Sequence, residues 1–331
     1  MKRSLILIAL LGIALGGCAP RDTPQSDGAE KTTSLTLQLN WYPEAEHGGY
    51  YAADVEGYYK EAGLDVQILP GGSGVPVVQK VAAGQADFGV ANADRVLLLR
   101  AQEADVIAIM APLQDSPRCL MVRSDAEVES FSDLAGYTIA MGSEPYSDFL
   151  RNGVLPADVS IVPYNGGVTQ FVARNKNFAQ QGYSFSEPYF AQQEGVEPKL
   201  LMVSETGFNP YTSCLIVSRA FAEENPDVVR NMVAASIDGW QAYLKSPEET
   251  NQLILQENSE LTPEILRFGV NAMKPLCVPE GSKKSDFGTM DAGRWANLRE
   301  QMTQSGSLDS NSDELGAGFS LEFLPNTRPG D

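Results

Sequence analysis

Asn40-Trp41-Tyr42-Pro43-Glu44-Ala45-Glu46-His47-Gly48-Gly49-Tyr50-Tyr51-Ala52-Ala53 is the stretch on which the reading of this chain turns. It follows Leu35, Leu37 and Leu39, whose period of two predicts a strand with one buried face, and it runs into one predicted helix ending at Ala62, before Gly63. Asn40 and Trp41 therefore fall where a strand ends and a helix is about to begin. In open α/β sheets ligands bind there, beyond the carboxyl ends of the strands. An indole beside a carboxamide offers a stacking face with two donors and an acceptor, which suits a small planar heterocycle. The same pair would also serve as a packed ring and a turn residue.

Upstream of this stretch the first residues form a separate unit. Lys2 and Arg3 precede an apolar run from Leu5 to Leu15, and Leu15-Gly16-Gly17-Cys18 has the form of a processing site, so residues 1–18 are read as an export signal. The run is too short to span a bilayer as a mature helix. Residues 19–33, rich in Pro, Ser, Thr, Asp and Gly, are expected to be a flexible tether.

Downstream, short apolar runs and helix-compatible segments alternate, as in a doubly wound sheet. Strands are expected at 64–69, 88–90, 106–113, 119–122, 138–141, 159–162, 182–185, 199–203 and 213–217, and a mainly helical region beyond Arg219. Several strand ends carry polar candidates for a ligand: Asn92 after the third strand, Ser143 before a helix, and Glu187 and Tyr189 around Pro188. Gly71-Gly72-Ser73-Gly74 could offer backbone amides to a ligand, but lacks the ending of a P-loop. Val229, Met232, Val233, Ile237, Trp240 and Leu244 recur at helical spacing, which places Trp240 in a core.

Composition excludes several functions. The 331 residues carry a formal charge of −19 with a pI near 4.4, and no run of Lys and Arg exists to neutralise phosphates, so nucleic acid is not a partner. His47 is the single histidine, no G-x-S-x-G elbow accompanies it, and neither H-E-x-x-H nor paired C-x-x-C occurs. No enzyme, metal or cofactor is therefore expected. Beyond Cys18 there are Cys119, Cys214 and Cys277, which allow at most one intramolecular disulfide.

Two resemblances sharpen this reading. Gly16-Gly17-Cys18 resembles the lipobox of bacterial lipoproteins, which implies lipidation of Cys18 and an exported protein anchored to the membrane, with about 0.8 kcal/mol per buried methylene holding it there. The remainder resembles the solute-binding proteins of ABC importers, in the group related to binders of thiamine pyrimidine precursors, aliphatic sulfonates and nitrate. The resemblance rests on Leu39-Asn40-Trp41-Tyr42-Pro43, His47 to Ala53, Gly57-Tyr58-Tyr59, Gly63-Leu64-Asp65-Val66, Gly84 to Gly89 and Glu187-Pro188-Tyr189. It covers most of the N-terminal lobe and part of the second.

This resemblance implies an α/β, two-lobed periplasmic-binding-protein type II fold, each lobe a mixed sheet flanked by helices, with a hinge between them. Lobe 1 would comprise 34–118 and 214–324, lobe 2 would comprise 119–213, and 325–331 would be a tail. Asn40, Trp41, His47, Asn92, Ser143, Glu187 and Tyr189 are the expected ligand-binding residues, with Trp41 stacking on the ring. The implied function is capture of a small planar heterocycle such as a thiamine pyrimidine precursor, by a monomer that delivers it to a permease and its ATPase. Sulfonate, nitrate and riboflavin binders are similar, and for the anions Arg95, Arg118 and Arg174 are the available cations. Fungal pyrimidine synthases share the opening motif, but this chain has no cysteine cluster like theirs. Many relatives carry Asp at position 40 and Asn at position 44, so Asn40 and Glu44 are departures that bear on the ligand.

Overall fold

β1 (Thr33–Gln38) turns Leu35 and Leu37 into a core, as the alternation requires, and bonds in parallel to β2 (Leu64–Leu69) and β3 (Phe88–Ala91). The computed structural model describes residues 32–283, 286–309 and 316–325. The export signal, Cys18, most of the tether and residues 326–331 of the tail lie outside the described residues. Thr33, expected to end the tether, already pairs with Leu64, so the strand begins there.

β4 (Val106–Met110) carries the chain out of the first sheet, and β10 (Cys214–Ser218) brings it back between β3 and β4, giving the order β2-β1-β3-β10-β4. β10 is antiparallel to both neighbours. A strand leading out to a second lobe and one returning from it run in opposite directions when they enter and leave by the same end. The sheet is therefore mixed, as the resemblance implied.

The second sheet repeats this plan with β5 (Arg118–Arg123), β6 (Thr138–Ala140), β7 (Ser160–Val162), β8 (Phe178–Tyr183) and β9 (Pro198–Met202) in the order β7-β6-β8-β5-β9. Here β5 is the antiparallel member against β8 and β9. β8 begins at Phe178, before the expected 182, and β4 stops at Met110 because the next residues turn toward the second lobe.

The helices of the first half are α1 (Gly48–Val55), α2 (Tyr58–Glu61), α3 (Val77–Ala82), α4 (Ala93–Arg100), α5 (Pro145–Gly153), α6 (Thr169–Ala173) and α7 (Glu187–Gln193). Those after the second sheet are α8 (Arg219–Glu224), α9 (Pro226–Lys245), α10 (Glu248–Glu257), α11 (Pro263–Cys277) and α12 (Ala292–Gln304). The single helix expected to end at Ala62 is two, broken at Gly57, whose φ of +80° is left-handed. α1 packs along α9, and its two glycines explain how closely. A Cβ on Gly49 would lie 2.0 Å from the Trp240 ring, and one on Gly48 2.0 Å from Tyr243. Trp240 is fully buried there.

Gly49→Ala should therefore overpack this contact and lower stability by about 3 kcal/mol, at the upper end of the cost of an added core methyl. Urea unfolding measures it; a loss below about 0.5 kcal/mol would mean that α1 and α9 separate freely.

α12 lies on α4 of the first lobe and α5 of the second. Beyond its end, the Ser305 carbonyl accepts from Asn152 Nδ2 at 2.8 Å and Ser307 Oγ donates to Asp148 Oδ2 at 3.0 Å. Cys119, Cys214 and Cys277 are buried free thiols. Among the described residues no helix is long and apolar enough to cross a membrane.

Candidate ligand-binding cleft

The strand ends of both sheets face a cleft of about 580 Å3. Trp41 leaves β1 at its edge. The loop after β2 grips the backbone beneath the ring: Gly71 N–H donates to the Trp41 carbonyl at 3.0 Å, and a Cβ on Gly71 would come within 2.4 Å of the Leu39 oxygen. With its backbone held, the indole stays 41 % exposed, its edge meeting Tyr42 at a centroid distance of 5.4 Å. Gly72 and Gly74 of the same loop line the cleft.

Behind Trp41, Ala45–His47 form a single 3-10 turn entering α1, and the polar groups around it knit together. Asn40 Nδ2 donates to Glu46 Oε1 at 3.2 Å, which leaves its carbonyl oxygen to take the Nε2–H of His47 at 2.9 Å. Ser213 Oγ, arriving just before β10, donates to the same Glu46 oxygen at 2.6 Å. His47 is fully buried, its Nδ1 has no hydrogen-bond partner, and burial lowers its pKa to about 3. It braces Asn40 from below and does not line the cleft.

Asn92 ties the lobes together. Its Nδ2 donates to the Tyr183 hydroxyl of β8 at 2.9 Å, and its Oδ1 accepts from Ser213 N–H at 3.1 Å. Glu187 opens α7 and faces the cleft, its carboxylate taking Tyr183 N–H at 2.7 Å and the Tyr164 hydroxyl at 3.0 Å. Ser143 lies exposed on the wall of the second lobe. Tyr189 lies elsewhere: two residues on from Glu187 it points to another side of α7 and packs on Phe268 of α11, centroids 5.5 Å apart. Of the seven expected residues, Asn40, Trp41, Asn92, Ser143 and Glu187 thus meet at the cleft, and His47 and Tyr189 do not reach it.

Three features lie outside the seven expected ligand-binding residues. Glu44 and Glu46 both line the cleft. Burial, then the charges of Glu46 and Glu187, push Glu44 well above the usual carboxylate range. Burial also raises Glu46 and Glu187, against the bonds they accept. Their place inside the opening motif was the one available signal.

The third feature is Arg118, weighed only as a cation for an anionic ligand. It is 2 % exposed and bonds Asp94 Oδ2 of α4 at 2.8 Å and Glu144 Oε2 at 3.1 Å, over the ring of Tyr146. Burial works against its charge, and Asp94, Tyr183 and Glu144 outweigh burial, so its pKa rises. Its charge is thus already matched. Arg174 sits over Phe178 away from the lining, while Arg95 does line the cleft. Among the described residues no group of three or more His, Cys, Asp or Glu is arranged to hold a metal.

Comparisons with known proteins agree with this architecture. The profile of the family described as "NMT1/THI5 like" matches residues 44–250. The riboflavin-binding protein RibY of Chloroflexus aurantiacus is 27 % identical over 98 % of this chain and 99 % of its own. The formylaminopyrimidine-binding protein of Halalkalibacterium halodurans is 22 % identical over 90 % and 92 %. A 4-amino-5-hydroxymethyl-2-methylpyrimidine phosphate synthase of Saccharomyces cerevisiae, THI5, is 25 % identical over 67 % and 74 %. Among solved structures, the periplasmic aliphatic sulphonate binding protein SsuA from Escherichia coli superposes with a TM-score of 0.64 at 12 % identity, covering 90 % of this chain and 94 % of that one. The periplasmic-binding-protein fold with two lobes is thereby established, as the two mixed sheets show from within.

Proposed function

Because the chain belongs to the NMT1/THI5-like family, we propose that it is the extracytoplasmic solute-binding component of an ABC importer, taking a planar nitrogen heterocycle between its lobes. The observation that carries this reading is a half-exposed indole at the tip of β1, set across a cleft from carboxyl groups. The indole stacks on a flat ring while Glu44, Glu46 and Glu187 accept its donors. A flavin-type fused ring with a hydroxylated side chain uses more of the roughly 580 Å3 than one pyrimidine does, and its hydroxyls supply donors to the acidic wall. The relative spanning nearly the whole chain is named for riboflavin. The second reading is a thiamine-type aminopyrimidine, favoured by the fit between an amino-substituted ring edge and a carboxyl group.

Capture proceeds by closing the lobes. Groups of both already meet at Asn92 and Tyr183, and a solute touching Trp41 and Glu187 together favours the closed form over the open one. The permease then receives the closed shape. The relatives that span nine-tenths or more of the chain are named as binding proteins, which supports a binder over a synthase. The export signal and the lipid on Cys18 belong to this proposal, as does a monomeric state.

Titration calorimetry on the mature protein with riboflavin, 4-amino-5-hydroxymethyl-2-methylpyrimidine, its formylamino relative, taurine and nitrate tests the reading. One heterocycle should bind with a Kd at or below about 1 μM, and the anions should not compete. Tight taurine or nitrate binding with no heterocycle bound would overturn it and return Arg95 and the glycine loop to the centre.

A further inference from the structure

Gln181 lies near the carboxyl end of β8, in register with Leu120 of β5. Side chains alternate along a strand, so Gln181 and Tyr183 project to the same face, and both line the cleft. Gln181 is half-buried there, and its carboxamide is held at one end. Its Oε1 accepts from the Gly142 backbone N–H at 2.6 Å and from the Tyr146 hydroxyl at 2.6 Å.

The first of these bonds decides which way the amide faces. A backbone N–H only donates, so the atom it meets is the oxygen; turned over, the amide would set its own NH2 against that donor. Tyr146 is fixed in its turn. It is 2 % exposed in the first turn of α5, and the Arg118 guanidinium lies over its ring, 4.9 Å from the centroid. The free end of the carboxamide is therefore Nε2, which among the described residues has no hydrogen-bond partner and is not sealed from solvent.

We propose that Gln181 is a specificity-determining residue of the cleft, donating through Nε2 to an uncharged acceptor on the ligand's ring, a carbonyl oxygen or a ring nitrogen that carries no proton. The inference rests on the heterocycle reading above and adds the acceptor which that reading leaves unassigned. The acceptor is uncharged because Glu44, Glu46, Glu144 and Glu187 line the same cleft and outnumber Arg95 and the already paired Arg118. Donors on the ring then meet carboxyl groups, and the acceptor meets the amide. On the second lobe both kinds of partner are anchored to one strand end, since Glu187 takes the N–H of Tyr183, two residues beyond Gln181. A ring that turns a donor or an alkyl group toward Nε2 leaves that N–H unpaired once the lobes close, and a site built to give a hydrogen bond discriminates strongly against a ligand that cannot take it.

Calorimetry at about pH 7.5 with riboflavin and with 4-amino-5-hydroxymethyl-2-methylpyrimidine tests this in two arms. In the first, Gln181→Glu keeps an oxygen for Gly142 and Tyr146 and exchanges the donor for an acceptor, so the heterocycle that binds wild type should bind the variant about tenfold or more weakly. Gln181→Met, of similar length and without a polar end, should also lose about tenfold. Near-UV circular dichroism checks that both variants keep the native packing. Gln181→Glu binding within about threefold of wild type would overturn the proposal and leave the heterocycle reading intact.

The second arm changes the ligand one acceptor at a time. For riboflavin the 2-thio and 4-thio analogues weaken a carbonyl, and the 1-deaza and 5-deaza analogues remove a ring nitrogen; for the pyrimidine, two pyridine analogues each lack one ring nitrogen. One analogue should bind wild type about tenfold more weakly than its parent yet lose no more than about twofold in Gln181→Met, which identifies the atom that Nε2 meets and tells a carbonyl from a ring nitrogen. Losses that are equal in wild type and variant, or no loss beyond about threefold for any analogue in wild type, would overturn the proposal. The comparison of analogues on wild type stands even where a variant fails to fold. Failure of both parent heterocycles to bind wild type would instead defeat the heterocycle reading, and the role of Gln181 with it.

Discussion

Replacing Arg118 by methionine should lower the stability of the folded protein by about 3–5 kcal/mol, the cost of removing one partner from a fully desolvated pair. Asp94 has no exposure at all, and the guanidinium is its ion-pair partner at 2.8 Å. Without Arg118 that carboxylate is either buried unpaired or forced to take a proton. The Glu144 arm contributes less, because Glu144 is 39 % exposed and water replaces the lost bond. Denaturant unfolding of Arg118→Met, Asp94→Leu and the double variant separates these terms. The double variant should recover much of the loss, since apolar substitution of both members of a buried pair is often nearly neutral. A loss under about 1 kcal/mol in the single variant would show that water reaches Asp94.

The second large effect is on binding and leaves the fold alone. Trp41→Ala should weaken capture of the heterocycle by about tenfold or more, since a ring stacked on an aromatic side chain is worth about 1–3 kcal/mol by alanine substitution and each 1.4 kcal/mol is a factor of ten. Stability should move by no more than about 0.5 kcal/mol, because the indole is 41 % exposed and its removal opens no cavity. Of the three tryptophans, Trp240 and Trp295 are buried and Trp41 is not, so ligand-dependent quenching should report on Trp41 and vanish in the variant. Unchanged affinity in Trp41→Ala would remove the indole from the site.

What the sequence disclosed follows from how local each signal is. The period-two run before Asn40 and the turn after it are readable within ten residues, so the place of Trp41 at a strand tip could be argued without coordinates. Gly48 and Gly49 stand in the same motif, yet their reason lies in Trp240 and Tyr243, almost two hundred positions away. Glu46 was invisible as a site residue because 43 Asp and Glu are scattered through the chain and the hydroxyl that singles it out belongs to Ser213. Tyr189 falls off the cleft for a helical reason: two positions after Glu187 is just over half a turn, which moves a side chain to the opposite face. His47 misled because a motif residue can serve the cleft from beneath. The mixed sheets, too, depend on where the chain returns, which no window of local sequence records.

The tie between the end of α12 and α5 gives the hinge a third member. Beyond the two covalent crossings, the second lobe is tied to the first at Asn152 and Asp148, so the proposed closure would be that of a door with an added bracket and not of a bead on two strings. Under the proposed closure, swing angle and grip would be set in separate parts of the molecule. Shortening the chain ahead of Ser305 would leave every cleft side chain where it is and still alter how wide the mouth gapes.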